Sequence, residues 1–132
     1  MQDLHQNSFI EIQYDNENDW LYCNWQNYQT MESIQTGGEL MIKYLQETRC
    51  DKVLNDNRLV KGSWTFAADW TQNVWFPRII EAGLRHFAWI YSPDVLAKFS
   101  VYKAAQQHKD DVVNIFSDIN QARAWLLSFK KN

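Results

Sequence analysis

VLNDNRLVKGSW, residues 53–64, decides how the rest of the chain is read. Val53 and Leu54 are β-formers, whereas Asn55, Asp56, Asn57 and Arg58 are turn-forming or charged residues, and Ser63 has the chemistry of a helix N-cap. The short apolar run in CDKVLND, 50–56, suits a central strand covered on both faces. On this reading the polar run is a loop leaving the carboxyl end of a buried strand. Strands and helices then have to alternate around it.

Upstream, FIEIQY (9–14) sets Ile10, Ile12 and Tyr14 against Phe9, Glu11 and Gln13, the period-two pattern of a half-buried strand. DNEND supplies a turn, and WLYCNWQ (20–26) alternates again, which predicts an antiparallel hairpin. Residues 1–8 read as a loosely ordered N-terminal segment. Between Thr30 and Thr48 the period changes to that of a helix, with Thr30 as a candidate N-cap. Gly37 and Gly38 stand in its middle, each costing about 1 kcal/mol relative to Ala in a helix interior. Either the helix lies very close to the sheet there, or it starts at Thr36; one continuous helix is favoured.

Downstream, a helix is expected over 64–76, with Pro77 kinking it or opening a second segment up to Gly83, which sits at a C′ position. A strand follows at 85–91. Ser92 and Pro93 resemble an N-cap and first helical residue, beginning a helix that runs to about Gln107. VVNIF (112–116) is the last strand, and Asp118 with Gln121 forms a capping box for a final helix to Phe129. The expected order is ββαβαβαβα: an α/β protein with a single mixed five-stranded sheet, residues 1–132 forming one domain.

Composition narrows the function classes. Hydrophobic residues make up 45% and charged residues 22% of the chain, which fits a globular protein and not a disordered one. A net charge of −3 with scattered Lys and Arg argues against a nucleic-acid partner, because phosphate-backbone binding needs clustered cations. Lys130 and Lys131, the one adjacent basic pair of the C-terminus, read as favourable charge at a helix end. No apolar run is long enough for an integral membrane protein, and MQDLHQNSF is unlike a signal peptide, so a cytoplasmic protein is expected. Cys23 and Cys50 lack metal-ligand spacing and read as buried reduced thiols. His5, His86 and His108 form no ligand motif, so neither a metal nor a cofactor is expected.

Sites in open α/β sheets gather where strands point their carboxyl ends. The candidate rim, regulatory or ligand-binding, therefore comprises Asn55, Asp56, Asn57 and Arg58, with Ser63, Tyr91, Ser92 and Asp118. Arg58, Lys61 and the helix start at Ser63 could meet an anion there; an Asx turn with a plain helix cap is the purely structural alternative. Asp56 and Asp118 could converge, but Asp118 already has a capping role, and no catalytic constellation emerges. The protein reads as a non-enzyme.

The element order after the hairpin, the length, and Ser63 following the central strand make the chain resemble a STAS domain, the fold of bacterial anti-anti-sigma factors. It also resembles a branch of uncharacterised bacterial proteins related to CRAL-TRIO domains. In signalling members a Ser or Thr at the start of the corresponding helix is phosphorylated by a partner kinase, and the resemblance assigns that position to Ser63. The family's acidic–hydroxyl–hydroxyl–Gly–Leu motif is replaced here by Asp56 followed by NRLVKGSW. The resemblance implies a regulatory, protein-binding domain; for the CRAL-TRIO branch it implies small-molecule or lipid binding.

Twenty aromatic residues, seven of them Trp, are many for so short a chain. In KGSWTFAADWTQNVWFPRII, Trp64, Thr71, Trp75 and Arg78 fall near one helical line, while Phe66, Trp70 and Phe76 spread over other sides. Trp64, Trp70, Trp75 and Phe76 are therefore candidate interface residues for a protein partner or a homodimer. Where these rings point separates the two readings: outward for a partner, inward around a cavity for an apolar small molecule.

Overall fold

The computed structural model describes residues 1–105 and 112–129. Within them one mixed sheet of six strands runs in chain order: β1 Gln2–Gln6, β2 Ile10–Asp15, β3 Trp20–Tyr28, β4 Lys52–Lys61, β5 His86–Ile90 and β6 Val113–Phe116. The pairs β1–β2 and β2–β3 are antiparallel, and the remaining pairs are parallel. Helices α1 (Met31–Thr48), α2 (residues 65–81), α3 (Val95–Ala104) and α4 (Ile119–Leu127) complete the order βββαβαβαβα. The α/β class and mixed sheet agree with expectation, but the strand count of five does not.

The additional strand is β1, in the segment expected to be loose. Gln2, Asp3, His5 and Gln6 have no apolar alternation because β1 is an edge strand, held by its backbone ladder to β2. Asn7 makes the connecting turn, its Oδ1 accepting the N–H groups of Phe9 and Ile10.

The second correction concerns the opening stretch. Asn55–Arg58 is not a rim loop, because β4 continues through it to Lys61. Beyond Asp56, β4 has outrun β5 and pairs only with β3, as far as Tyr28 opposite Lys61. Between Asn24 and Gln26 of β3 the partner advances from Asp56 to Leu59, so β4 carries one extra residue, a bulge. The polar side chains are tolerated inside the sheet because each finds partners on its own face.

Because β3, β4, β5 and β6 lie side by side in chain order, crossovers of one hand put α1, α2 and α3 on the same face. Their buried residues, among them Met41, Leu45, Phe76, Ile79 and Val101, pack with Ile10, Ile12, Leu21, Val53 and Phe87 in the main core. Only α4 crosses to the other face, where Ala122 and Leu126 meet Trp20, Leu54, Ala88 and Ile90. The first six residues of β4 are buried, as a strand covered on both faces requires.

α1 is continuous through its two glycines, and Thr30 and Ser33 form a reciprocal capping box. A Cβ at Gly37 would stand 2.3 Å from Cη2 of Trp25, and one at Gly38 would stand 2.7 Å from Nε1 of Trp75. The glycines are there so that two indoles can lie against helix backbone.

α2 is irregular for a reason also written in the chain. It opens with a 3-10 turn (Thr65–Ala67), widens into a π turn at Thr71–Trp75 and ends regularly over Phe76–Glu81. Pro77 lacks an N–H and its ring would strike the carbonyl four residues back, and the widened turn lies just before it. Gly83 closes the helix at φ 121°, with Leu84 N–H donating to Ile79 O, as the C′ reading requires.

The cap of α3 is Asp94, not Ser92: its carboxylate accepts from Leu96 and Ala97. Ser92 is occupied by donating to Val60 O at 2.7 Å, which ties this loop to the end of β4. Asp118 does cap α4, accepting from Asn120 N–H. The expected end of α3 near Gln107, His108, and the basic pair Lys130–Lys131 lie outside the described residues.

If helix propensity ruled, Gly37→Ala and Gly38→Ala would each stabilise by about 1 kcal/mol. Overpacking against an indole, about 1–3 kcal/mol, should win and leave a net loss of up to about 2 kcal/mol in urea unfolding. A gain in stability for either variant would refute the close-approach account.

Candidate functional site

The surplus aromatics converge on the helix-covered face. Trp25 of β3, Trp89 of β5, and Trp64, Trp70 and Trp75 from the α2 region wall a cavity of about 440 Å3, counting its open mouth. Phe87 and Met41 add apolar surface, and Gly38 leaves part of the α1 backbone bare. Trp75 donates from Nε1 to Gly38 O at 2.9 Å, so the missing Cβ creates both the seat and the hydrogen bond. Phe76 is fully buried behind the wall, its ring edge-on to Trp75, Phe87 and Trp89.

The polar part of the wall comes from the bulged strand. Asn55 and Asn57 reach the cavity from β4, and both are buried. The indole N–H of Trp25 can only donate, so Asn55 must present its oxygen to it, at 3.0 Å. The Asn55 amide nitrogen then donates to Asn57 Oδ1 at 3.1 Å. That chain of donors leaves the Asn57 NH2 group as its outward end. Thr71 bonds back to Ala67 O, and Gln29 is held by Gln26 O and Ser33. Among the described residues, no carboxylate, imidazole, amine or thiol lines the space.

Two of the five indoles have buried nitrogens with no partner among the described residues. Nε1 of Trp64 and Nε1 of Trp89 are buried without an acceptor. Their rings stack on one another, with centroids 6.0 Å apart. Trp20 Nε1 shares this condition on the opposite face, where its ring lies beneath the Arg123 guanidinium.

No family model, curated protein or solved structure matches the chain. The site therefore has to be read from its own geometry.

Strand alternation splits the expected rim. Asn55 and Asn57 face the cavity, while Asp56 and Arg58 lie on the opposite face with Tyr22. Asp56 is buried, accepts Tyr22 Oη–H at 2.7 Å, and receives Nε and Nη2 of Arg58 at 3.0 and 2.8 Å. Burial by itself raises its carboxyl, but the Arg58 guanidinium and the Tyr22 hydroxyl outweigh that and hold it below the usual carboxylate range. The same burial and the Asp56 carboxylate push the Tyr22 phenol up. The cluster neutralises the charged residues of a central strand.

The remaining expected residues disperse. Ser63 exchanges contacts with Thr65, Tyr91 lies under Lys98, Ser92 anchors to β4, and Asp118 caps α4 on the far face. Of the candidate interface residues, Trp64, Trp75 and Phe76 are buried and Trp70 is half-buried, all turned into the fold. Sequence reasoning passed over Trp25 and Trp89 as site residues. Their signal was present: Trp25 is in phase with Leu21 and Cys23, and Trp89 with Phe87, so both had to face the helices. Among the described residues no group of three His, Cys, Asp or Glu could hold a metal ion, and no helix is long and apolar enough to cross a membrane.

The Asp56 cluster sets a pH dependence. Its folded-state value lies below the unfolded reference of about 3.9, so its stabilisation is complete above that pH and is lost as pH falls through the folded value. Asp56→Asn should cost about 1–3 kcal/mol near neutrality. The gap from wild type should narrow in urea titrations as pH drops from about 5 to 3. A gap independent of pH would mean that the charge of Asp56 plays no part.

Proposed function

We propose that this protein is a small-molecule-binding domain whose site is the tryptophan-walled cavity between α1, α2 and the sheet. The observation that carries the reading is the inward convergence of five indoles around open space in a chain that had ample core-forming residues without them. Close packing normally fills such space, and a tight core leaves few voids larger than a water molecule. Here large rigid rings, two backbone-exposing glycines and a π turn combine to keep it open. Much of the 440 Å3 belongs to the open mouth, so the enclosed part is small. That suits a small molecule better than a whole lipid. Among the described residues the walls carry no carboxylate, imidazole, amine or thiol, and the indoles and amides they do carry suit binding.

Titration with the neutral fluorophore N-phenyl-1-naphthylamine tests the reading. It should bind saturably at one site per chain and quench tryptophan emission by energy transfer, and Gly38→Ala, which displaces Trp75, should weaken binding several-fold. Absence of saturable quenching by this probe would count against the cavity as a ligand site.

A protein partner is a second reading, now supported by a different surface. Val95, Leu96, Phe99 and Tyr102 are exposed along α3, and Phe66 is exposed on the 3-10 turn packed against that helix. Apolar residues on the outer face of a helix whose inner face is already buried are the mark of an interaction surface. Light scattering decides whether the partner is a second copy: self-association of wild type abolished by Phe99→Glu supports a homodimer through α3, and a monomer in both excludes it.

A further inference from the structure

Resting on the cavity reading above, we infer that the ligand is a small amphiphile that enters alkyl end first, its oxygen-bearing head staying at the mouth beside Asn57 and Gln29. The inference follows from where the polar atoms of the walls are spent and where one is left.

Deep in the cavity the walls present carbon. The indole N–H of Trp25 is held by Asn55, that of Trp75 by Gly38 O, and those of Trp64 and Trp89 are sealed within the protein, out of a ligand's reach. Thr71 donates its hydroxyl to Ala67 O, and the Asn55 amide is engaged at both ends. Trp70 turns the far edge of its six-membered ring, Cη2, towards Gly38. A hydroxyl or charge carried into this space would lose its water without replacement, which is costly. The rings also give the space its form. Trp64 and Trp89 stack on one another, and Phe87 meets Trp75 at 76° and Trp89 at 84°. Rings set edge to face leave an irregular well, which a short flexible chain can follow. Because the enclosed part is small, it takes a few carbons and no more.

The remaining polar group lies towards the mouth. Of the residues on the cavity wall, Gln29 and Trp70 are half-buried and the others are buried, so the opening lies by these two. β4 runs from Asn55 through Asn57 to Leu59, which pairs with Gln26, and the Gln26 carbonyl accepts from Gln29. Asn57 is therefore nearer the opening than Asn55. Its Oδ1 is taken by Asn55, which leaves its NH2 as a donor without a bond among the described residues, ready for an oxygen of the ligand. Among the described residues no Lys, Arg, His, Asp or Glu lines the cavity, so the head needs an oxygen there but not a charge.

The test uses 13C,15N-labelled full-length protein, with the indole N–H signals of its seven Trp side chains assigned by triple-resonance NMR. Three probes of one chain length are titrated at about 0.15 M salt: 1-hexanol, hexanoate, and 1,6-hexanediol, which carries a hydroxyl at whichever end enters. 1-Hexanol and hexanoate should bind within about threefold of each other and shift the indole signals of Trp70 and Trp75, leaving that of Trp20, on the opposite face, in place. Hexanediol should bind at least about fivefold more weakly than 1-hexanol. Hexanediol closer than about fivefold, or hexanoate and 1-hexanol further apart than about threefold, would overturn the alkyl-first orientation while leaving the cavity a binding site. Asn57→Asp keeps the oxygen that Asn55 bonds and exchanges the donor for a negative charge, so it should weaken hexanoate by at least about tenfold. Unchanged hexanoate binding in that variant would overturn the placement of the head. Cavity indole signals unmoved by all three probes would overturn the orientation and the cavity reading together. The wild-type titrations decide the matter even if the Asn57 variant fails to fold.

Discussion

The contact on which this structure turns is that of two indoles with the bare backbone of α1. Trp25 lies over Gly37, and Trp75 lies beside Gly38 with its N–H on the Gly38 carbonyl. A helix loses stability by carrying adjacent glycines in its interior, about 1 kcal/mol for each. Burying two Trp side chains, at about 25 cal/mol per Å2 of apolar area, more than offsets that. The spacing between α1 and the sheet is thus set by ring thickness rather than by aliphatic interdigitation. Rings of fixed shape cannot close every gap between them, and the cavity is the consequence.

A second constraint acts along β4. Six buried residues in a row, four of them Lys, Asn, Asp and Asn, would be untenable in a central strand unless both faces supplied partners. They do so in alternation. Asn55 and Asn57 join a donor chain that starts at Trp25, and Asp56 is enclosed by Tyr22 and Arg58 on the opposite face. The bulge opposite Trp25 then shifts the phase, so that Val60 again faces the helices while Arg58 reaches towards water. Pairing with β3 alone carries this end of β4 beyond β5, where Ser92 accepts the task of anchoring it.

Much of this was readable in advance. The hairpin of β2 and β3, the continuous α1 with its Thr30 cap, the Gly83 terminus of α2 and the Asp118 cap of α4 all follow from local chemistry, and each is present. The glycine pair left two readings, a close helix–sheet approach or a helix start at Thr36, and the continuous helix with its close ring contacts is the first. β1 escaped because an edge strand needs only backbone bonds, so polar residues suffice and leave no periodic signal. The length of β4 escaped because Asn and Asp are turn-formers by default, and what keeps them extended is a set of partners 30 or more residues distant, such as Trp25 to Asn55 and Tyr22 to Asp56.

By itself the sequence determined the alternation of elements, the α/β class and the side of the sheet on which Trp25 and Trp89 fall. These are properties of short windows, governed by side-chain period and by φ and ψ preferences. Tertiary structure alone decided that the rings of α2 turn inward and that the apolar surplus emerges on α3 instead. An aromatic side chain gains nearly the same free energy from any apolar surroundings, so its address is set by which elements the crossovers bring together.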